Sequence, residues 1–190
     1  MTQQTRKLMW VILGLTFIVS VAYSFHFKIA PVIDARAYND IGWNLAEVRG
    51  YLERAFNEGH PERDDGIGRI GPGYEFFLAT IYFVFGHKIW LIWIIHALLR
   101  AGTAFLIFKI ALFLFENYEY REKIGLLSAI LFAFSPDLIT LNGMLLTETF
   151  FLFCLTLTVY VLIKALDAPT IKTVLISSLL LGVSFMTRPT

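Results

Sequence analysis

Five long apolar runs dominate this chain and leave it few ways to fold. The first, residues 8–27, holds about 20 residues, enough to cross a bilayer as a helix. Four more follow, roughly residues 89–115, 124–141, 145–163 and 171–186. Composition agrees: 57% of residues are hydrophobic and 16% charged, where a soluble domain carries about 25% charged residues. The expected class is all-α, a polytopic membrane helix bundle of about five spans.

Residues 74–85 form a shorter apolar run, about 18 Å long as a helix against about 30 Å of hydrocarbon. An interfacial or re-entrant helix is expected there. Arg6 and Lys7 ahead of the first run resemble the start of a signal peptide. No small-x-small cleavage site follows that run, so an uncleaved span is expected.

Charge then orients the spans. In a five-span arrangement the N-terminus and residues 116–123 and 164–172 are cytoplasmic. They carry Arg6, Lys7, Arg121, Lys123, Lys164 and Lys172, as short basic cytoplasmic segments should. Residues 28–73 form an external loop with eight acids and six bases, and Arg188 falls on the same side. The expected location is the cell membrane, multi-pass, with membrane lipids around the bundle and a cytoplasmic N-terminus. The net charge of +1 argues against a nucleic-acid partner, and the lone Cys154 provides no disulfide framework. Because the chain stops straight after an apolar run, residues 1–190 are expected to be the N-terminal part of a longer protein.

The external loop opens with Pro31-Val-Ile-Asp34-Ala-Arg-Ala-Tyr38. Ile41, Leu45, Val48 and Leu52 recur at helical spacing, which predicts an amphipathic helix in the membrane interface. Asp34 stands at its start, with Tyr38 one turn along on the same side. From spacing alone, Asp34 is either an N-cap or a free carboxylate at the membrane surface. The Gly- and Pro-rich stretch 64–73 predicts a flexible connection. His60, Glu62, Asp64 and Asp65 match no well-specified ligand spacing, so a solvated charge run is favoured and a divalent metal is left open. His87 and His96 are read with the same caution. Trp43, Trp90 and Trp93 are expected to anchor at the interface.

Ionisable residues at membrane depth are costly and become functional candidates. Arg100 either faces the bundle or pairs with an acid of the loop. Lys109 snorkels toward the cytoplasmic end. Asp137, after Pro136, is expected to serve the backbone opened by the proline. Glu148 opens the fourth span on the side of Asp34. It either stabilises that helix end or lines an external cavity.

These features resemble the polytopic GT-C glycosyltransferases, in particular the family 39-like group of protein O-mannosyltransferases and lipid A aminoarabinose transferases. Four ordered motifs carry the resemblance. They are Asp34-Ala-Arg-Ala-Tyr38; Arg69-Ile-Gly-Pro-Gly-Tyr74 leading to Phe85-Gly86; Ser135-Pro136 with Leu146-Thr-Glu148; and Gly182 with Thr187-Arg188-Pro189. The chain departs from many relatives in having Ala35 where they have a second acid. The resemblance implies a polyprenyl-phosphate-linked sugar donor, a lipid, glycan or protein acceptor, and inverting single displacement on the non-cytoplasmic side. It implies that Asp34 is the base. Arg69 and Arg188 would then hold the phosphate, Tyr38 and Tyr74 would bond or stack on the sugar, and Glu148 would orient hydroxyls. No cofactor is certain. Two other readings remain at this point: a transporter supported by Arg100 and Asp137, and a non-catalytic scaffold in which Asp34 and Glu148 only stabilise helix ends.

Overall fold

The computed structural model of the chain describes residues 1–53, 71–167 and 170–188. Among them stand eight helices and no strand. They are α1 (Gln3–Phe27), α2 (Asp34–Ala46), α3 (Gly73–Phe85), α4 (Ile89–Leu114), α5 (Arg121–Ala133), α6 (Pro136–Gly143), α7 (Thr147–Asp167) and α8 (Ile171–Thr187).

Helices α1, α4 and α7 are long and apolar enough to cross a membrane. The third expected span is broken. Helices α5 and α6 together have the necessary length and hydropathy but are bent by 51°. Proline explains the break: Pro136 lacks an N–H and sits at the first turn of α6, where none is needed. The fifth run forms α8, 17 residues or about 26 Å long, just short of the hydrocarbon thickness.

The helix ends gather into two opposite groups. At one end, Glu122 of α5 accepts from Thr2 N (2.8 Å) and Thr2 Oγ1 (2.9 Å) and pairs with the Met1 ammonium at 3.1 Å. At the other end, the close of α1 meets α6: Asn142 Nδ2 donates to Ser24 Oγ at 3.0 Å. The start of α7 and the close of α8 meet there too, through Arg188 and Glu148.

Between these ends runs a buried polar column. Arg100 of α4 is 2% exposed. Its guanidinium donates to Ser20 Oγ at 2.6 Å and to the carbonyl of Ala133. Ala133 closes α5, so Arg100 serves a carbonyl that the broken span orphans. The work expected of Asp137 therefore falls to Arg100. Asp137 itself is exposed in the first turn of α6, and Arg100 has no carboxylate partner among the described residues.

The interfacial helix is shorter than its periodicity predicts. α2 closes at Ala46, and Val48 takes a left-handed φ of 59°. Asn44 Nδ2 reaches forward to Leu52 O at 2.8 Å and folds the chain back. Val48 consequently stays exposed. The buried face of α2 is Ala35, Tyr38, Ile41 and Gly42, pressed on α3. A Cβ on Gly42 would stand 2.8 Å from Leu78 Cβ, so the small residue sets that close approach. On the other side of α3, Phe76, Phe83 and Val84 are exposed, as expected for a short helix with a lipid-facing edge. Trp90 is exposed as an anchor would be, but Trp93 is buried and packs edge-on against Phe25 at 5.5 Å.

Candidate functional site

Asp34 is the first residue of α2, not its cap. The cap position belongs to Ile33, which makes no capping hydrogen bond. Ile33 holds φ 49°, ψ −118°, a conformation that a β-branched residue adopts only under strain. The chain turns sharply there and sets Asp34 outward. Its carboxylate is exposed and makes no hydrogen bond or ion pair among the described residues. Of the two readings of Asp34, the free carboxylate is the one observed. Beside it lies a cleft of about 210 Å³ between the α1–α2 connection and the α6–α7 turn, walled by Ile29, Pro31, Ile33, Met144 and Leu146.

One turn along, Tyr38 is 8% exposed. Burial pushes its phenol up to about 12, and the negative charges of Glu75, Asp34 and Glu148 push the same way. A hydrogen bond with the Thr147 side chain pulls the other way, more weakly. Tyr38 stays neutral at physiological pH, able to donate and accept but not to serve as a base.

Tyr74 lies beneath Tyr38. It is fully buried and meets the Tyr38 ring edge-on at 5.3 Å. Its hydroxyl is 3.1 Å from His96 Nε2. His96 Nδ1 faces Asn142 O at 3.4 Å. A carbonyl only accepts, so Nδ1 carries the proton and Nε2 accepts from Tyr74. The ring expected against a sugar is thus a floor for Tyr38, stacked through Phe77 onto Phe150.

Glu148 and Arg188 meet across the α7–α8 pair, Arg188 donating to Glu148 Oε1 at 3.1 Å. They are 29% and 50% exposed. Arg188 arrives through a close backbone contact. A Cβ on Gly73 would stand 2.8 Å from both Thr187 N and Thr187 Oγ1. Only glycine permits this approach of α3 to α8. Arg69, the other phosphate candidate, lies outside the described residues, as do His60, Glu62, Asp64 and Asp65.

Sequence reasoning missed Glu75. It is fully buried in the first turn of α3. Tyr51 OH donates to Oε1 at 3.0 Å, while Oε2 has no partner among the described residues. Burial raises its pKa. A signal was present, because Glu75 is the single acid in an otherwise apolar run. His87 is also engaged: its Nε2 donates to Asn39 Oδ1 at 2.9 Å, and its ring lies on Trp43 at 5.1 Å. Among the described residues no three His, Cys, Asp or Glu side chains converge to hold a metal.

The structure thus brings together Asp34, Tyr38, Tyr74, Glu148 and Arg188, with Glu75 as an unforeseen sixth member. A family model described as dolichyl-phosphate-mannose-protein mannosyltransferase matches residues 69–190, more than half of the chain. The match takes in Tyr74, Glu148 and Arg188, and Asp34 and Tyr38 precede it. No curated protein and no solved structure gives a significant match.

Proposed function

Because the chain belongs to the dolichyl-phosphate-mannose-protein mannosyltransferase family, we propose that it moves a sugar from a polyprenyl-phosphate donor to an acceptor hydroxyl by one inverting displacement. It is a membrane glycosyltransferase of the GT-C type. In this reading residues 1–190 act as the N-terminal part of the transmembrane domain, with a cytoplasmic N-terminus. The loop 28–73 and the site face the other side.

The single observation that carries the mechanism is the free, outward carboxylate of Asp34 beside Tyr38 and the Glu148–Arg188 pair. Asp34 takes the proton of the acceptor hydroxyl as its oxygen attacks the anomeric carbon. The bond from that carbon to the phosphate oxygen breaks, and the phosphate leaves with the electron pair. General-base help supplies about 10²–10⁴-fold. The rest comes from positioning and from charge at the leaving group. Arg188 donates to Glu148 through one terminal nitrogen, which leaves other N–H groups of the guanidinium for phosphate oxygens. Arg69 is a second donor to that phosphate. Tyr38 hydrogen-bonds the sugar, Tyr74 holds Tyr38 in place, and Glu148 fixes Arg188 and orients hydroxyls.

Architecture supports the reading. A lipid-linked donor keeps its phosphate at headgroup depth, and the interfacial pair α2–α3 brings protein groups to that depth. The test is transfer from a panel of radiolabelled polyprenyl-phosphate sugars by the full-length protein in liposomes, beside Asp34→Asn. Transfer by the parent and none by the folded variant is expected. Undiminished transfer by Asp34→Asn would remove the base.

A further inference from the structure

His96 is fully buried in α4, and its two ring nitrogens reach two different parts of the site. Nε2 accepts from Tyr74 OH at 3.1 Å, and Nδ1 donates to Asn142 O at 3.4 Å. Tyr74 belongs to α3 and supports Tyr38 of α2. Asn142 stands at the close of α6, and α7 opens just beyond it with Thr147 and Glu148. We propose that His96 is a positioning residue that fixes the base half of the site, Asp34 and Tyr38, against the half that holds Glu148 and Arg188. The inference rests on the reaction proposed above.

Three arguments carry it. The first is that the two halves stand on separate elements. α2 is pressed on α3, while Glu148 and Arg188 come from α7 and the close of α8. The halves touch where the Thr147 side chain bonds Tyr38. An in-line displacement tolerates little slack between them, since a misplacement of 1 Å can cost about 10²-fold.

The second is the shortness of the path from His96 to each half. On one side, Tyr74 meets the Tyr38 ring edge-on at 5.3 Å. On the other, residues 143–146 alone separate Asn142 from Thr147, so holding the Asn142 carbonyl holds the start of α7. The Asn142 side chain is itself tied to Ser24 Oγ of α1 at 3.0 Å, which gives the clamp a fixed end.

The third is the chemistry at position 96. Packing alone does not call for it. Phe77 lies parallel to His96 and stacks on Phe150 with no polar atom in its side chain. Apolar side chains at 74 and 96 would pack in the same way without burying a hydroxyl and an imidazole, which are costly unless they satisfy each other. A satisfied buried network rigidifies its surroundings and specifies one arrangement. Neutral imidazole offers one acceptor and one donor on a single rigid ring, so one side chain serves both halves.

The experiment separates the two bonds. It uses the full-length protein in liposomes with a radiolabelled polyprenyl-phosphate sugar as donor, and with total membrane lipid and a peptide containing Ser and Thr as acceptors. His96→Gln keeps an amide oxygen to accept from Tyr74 and gives up the bond to Asn142. His96→Asn keeps an amide N–H for Asn142 and gives up the bond to Tyr74, as does Tyr74→Phe. Each variant is expected to lower kcat per folded molecule by about 10- to 10²-fold, with donor KM unchanged. His96→Asn combined with Tyr74→Phe should be no slower than either alone, because both remove the same bond. Spin labels at Arg36→Cys on α2 and Val159→Cys on α7, both exposed, in a Cys154→Ala background, should give a narrow distance in the parent and a broader one in every variant. Full kcat in His96→Gln would make His96 a mere prop for Tyr74 and overturn the proposal. Losses that multiply in the double variant, or distance widths that stay unchanged in the variants, would also overturn it. If the parent transfers no sugar, the proposed function fails, and the distances still decide whether His96 clamps the two halves.

Discussion

Arg100 and Asp34 are both charged groups in a molecule built for lipid, and they are treated in opposite ways. Arg100 is buried inside the bundle and bonded to a hydroxyl of α1 and to the open end of α5. Asp34 is exposed at the start of α2 and bonded to nothing among the described residues. An intramembrane charge alone would have nominated Arg100 for chemistry. Its partners show that it closes a gap in the backbone. The carboxylate in the less unusual position is the one left available for a substrate.

That contrast breaks most visibly on substitution. Asp34→Asn should cut transfer by about 10²–10⁴-fold with an unchanged unfolding midpoint, since no bond is lost. A shifted midpoint would mean that Asp34 has a structural role after all. Arg100→Leu should do the reverse. It leaves the Ala133 carbonyl and the Ser20 hydroxyl without their donor, at about 1–3 kcal/mol for each buried group. Denaturant titration in detergent should show that loss, while transfer per folded molecule stays close to the parent's.

Gly73→Ala tests whether the site depends on helix placement as well as on its side chains. The new methyl would collide with the backbone of Thr187. Overpacking of this kind costs about 1–3 kcal/mol, and it moves Arg188. A higher donor KM with a smaller change in kcat is the expected kinetic result.

Glu75→Gln sharpens the comparison through pH. Burial raises the Glu75 pKa in the folded chain above the ordinary 4.5, so the folded state holds its proton more tightly than the unfolded one. Stability therefore falls as pH climbs from about that value through the folded pKa. The Gln variant should lose this decline and match the parent at the acid end. An identical pH–stability curve in both proteins would sink the assignment.

The smallest effect belongs to Glu148→Gln. The Glu148–Arg188 pair is partly exposed, and such pairs contribute about 0–1 kcal/mol. Stability should hardly move, and donor KM should respond instead.

Much of this was readable from the residues. Apolar run length found the spanning helices, and the dozen apolar residues before Gly86 found the short helix α3. Asp34, Tyr38, Glu148 and Arg188 were named from motifs, and the structure gathers them at one end. What escaped was what sequence distance hides. Nothing near Arg100 in the chain points to Ala133, because that bond exists only after the span breaks. The periodicity running on to Val48 concealed the turn that ends α2, since a left-handed residue leaves no trace in a hydrophobic pattern. Trp93 carries the residue type of an interfacial anchor, yet packing of α4 against α1 buries it. Glu75 was passed over because its neighbours describe a lipid-facing helix, and the hydroxyl that bonds it, on Tyr51, lies two dozen residues earlier.

The contact between Gly73 and Thr187 also imposes an order in time. A chain is made from its N-terminus at about 5–20 residues per second. Asp34, Tyr38 and the floor beneath them can assemble before α8 is made, since their partners all lie in α2, α3, α4 and α7. Glu148 then waits without its cation until α8 has formed and its last turn has reached Gly73. In the proposed mechanism the half of the site that would hold the phosphate is therefore the last to form, and a partly made chain would have Asp34 in place before it could act.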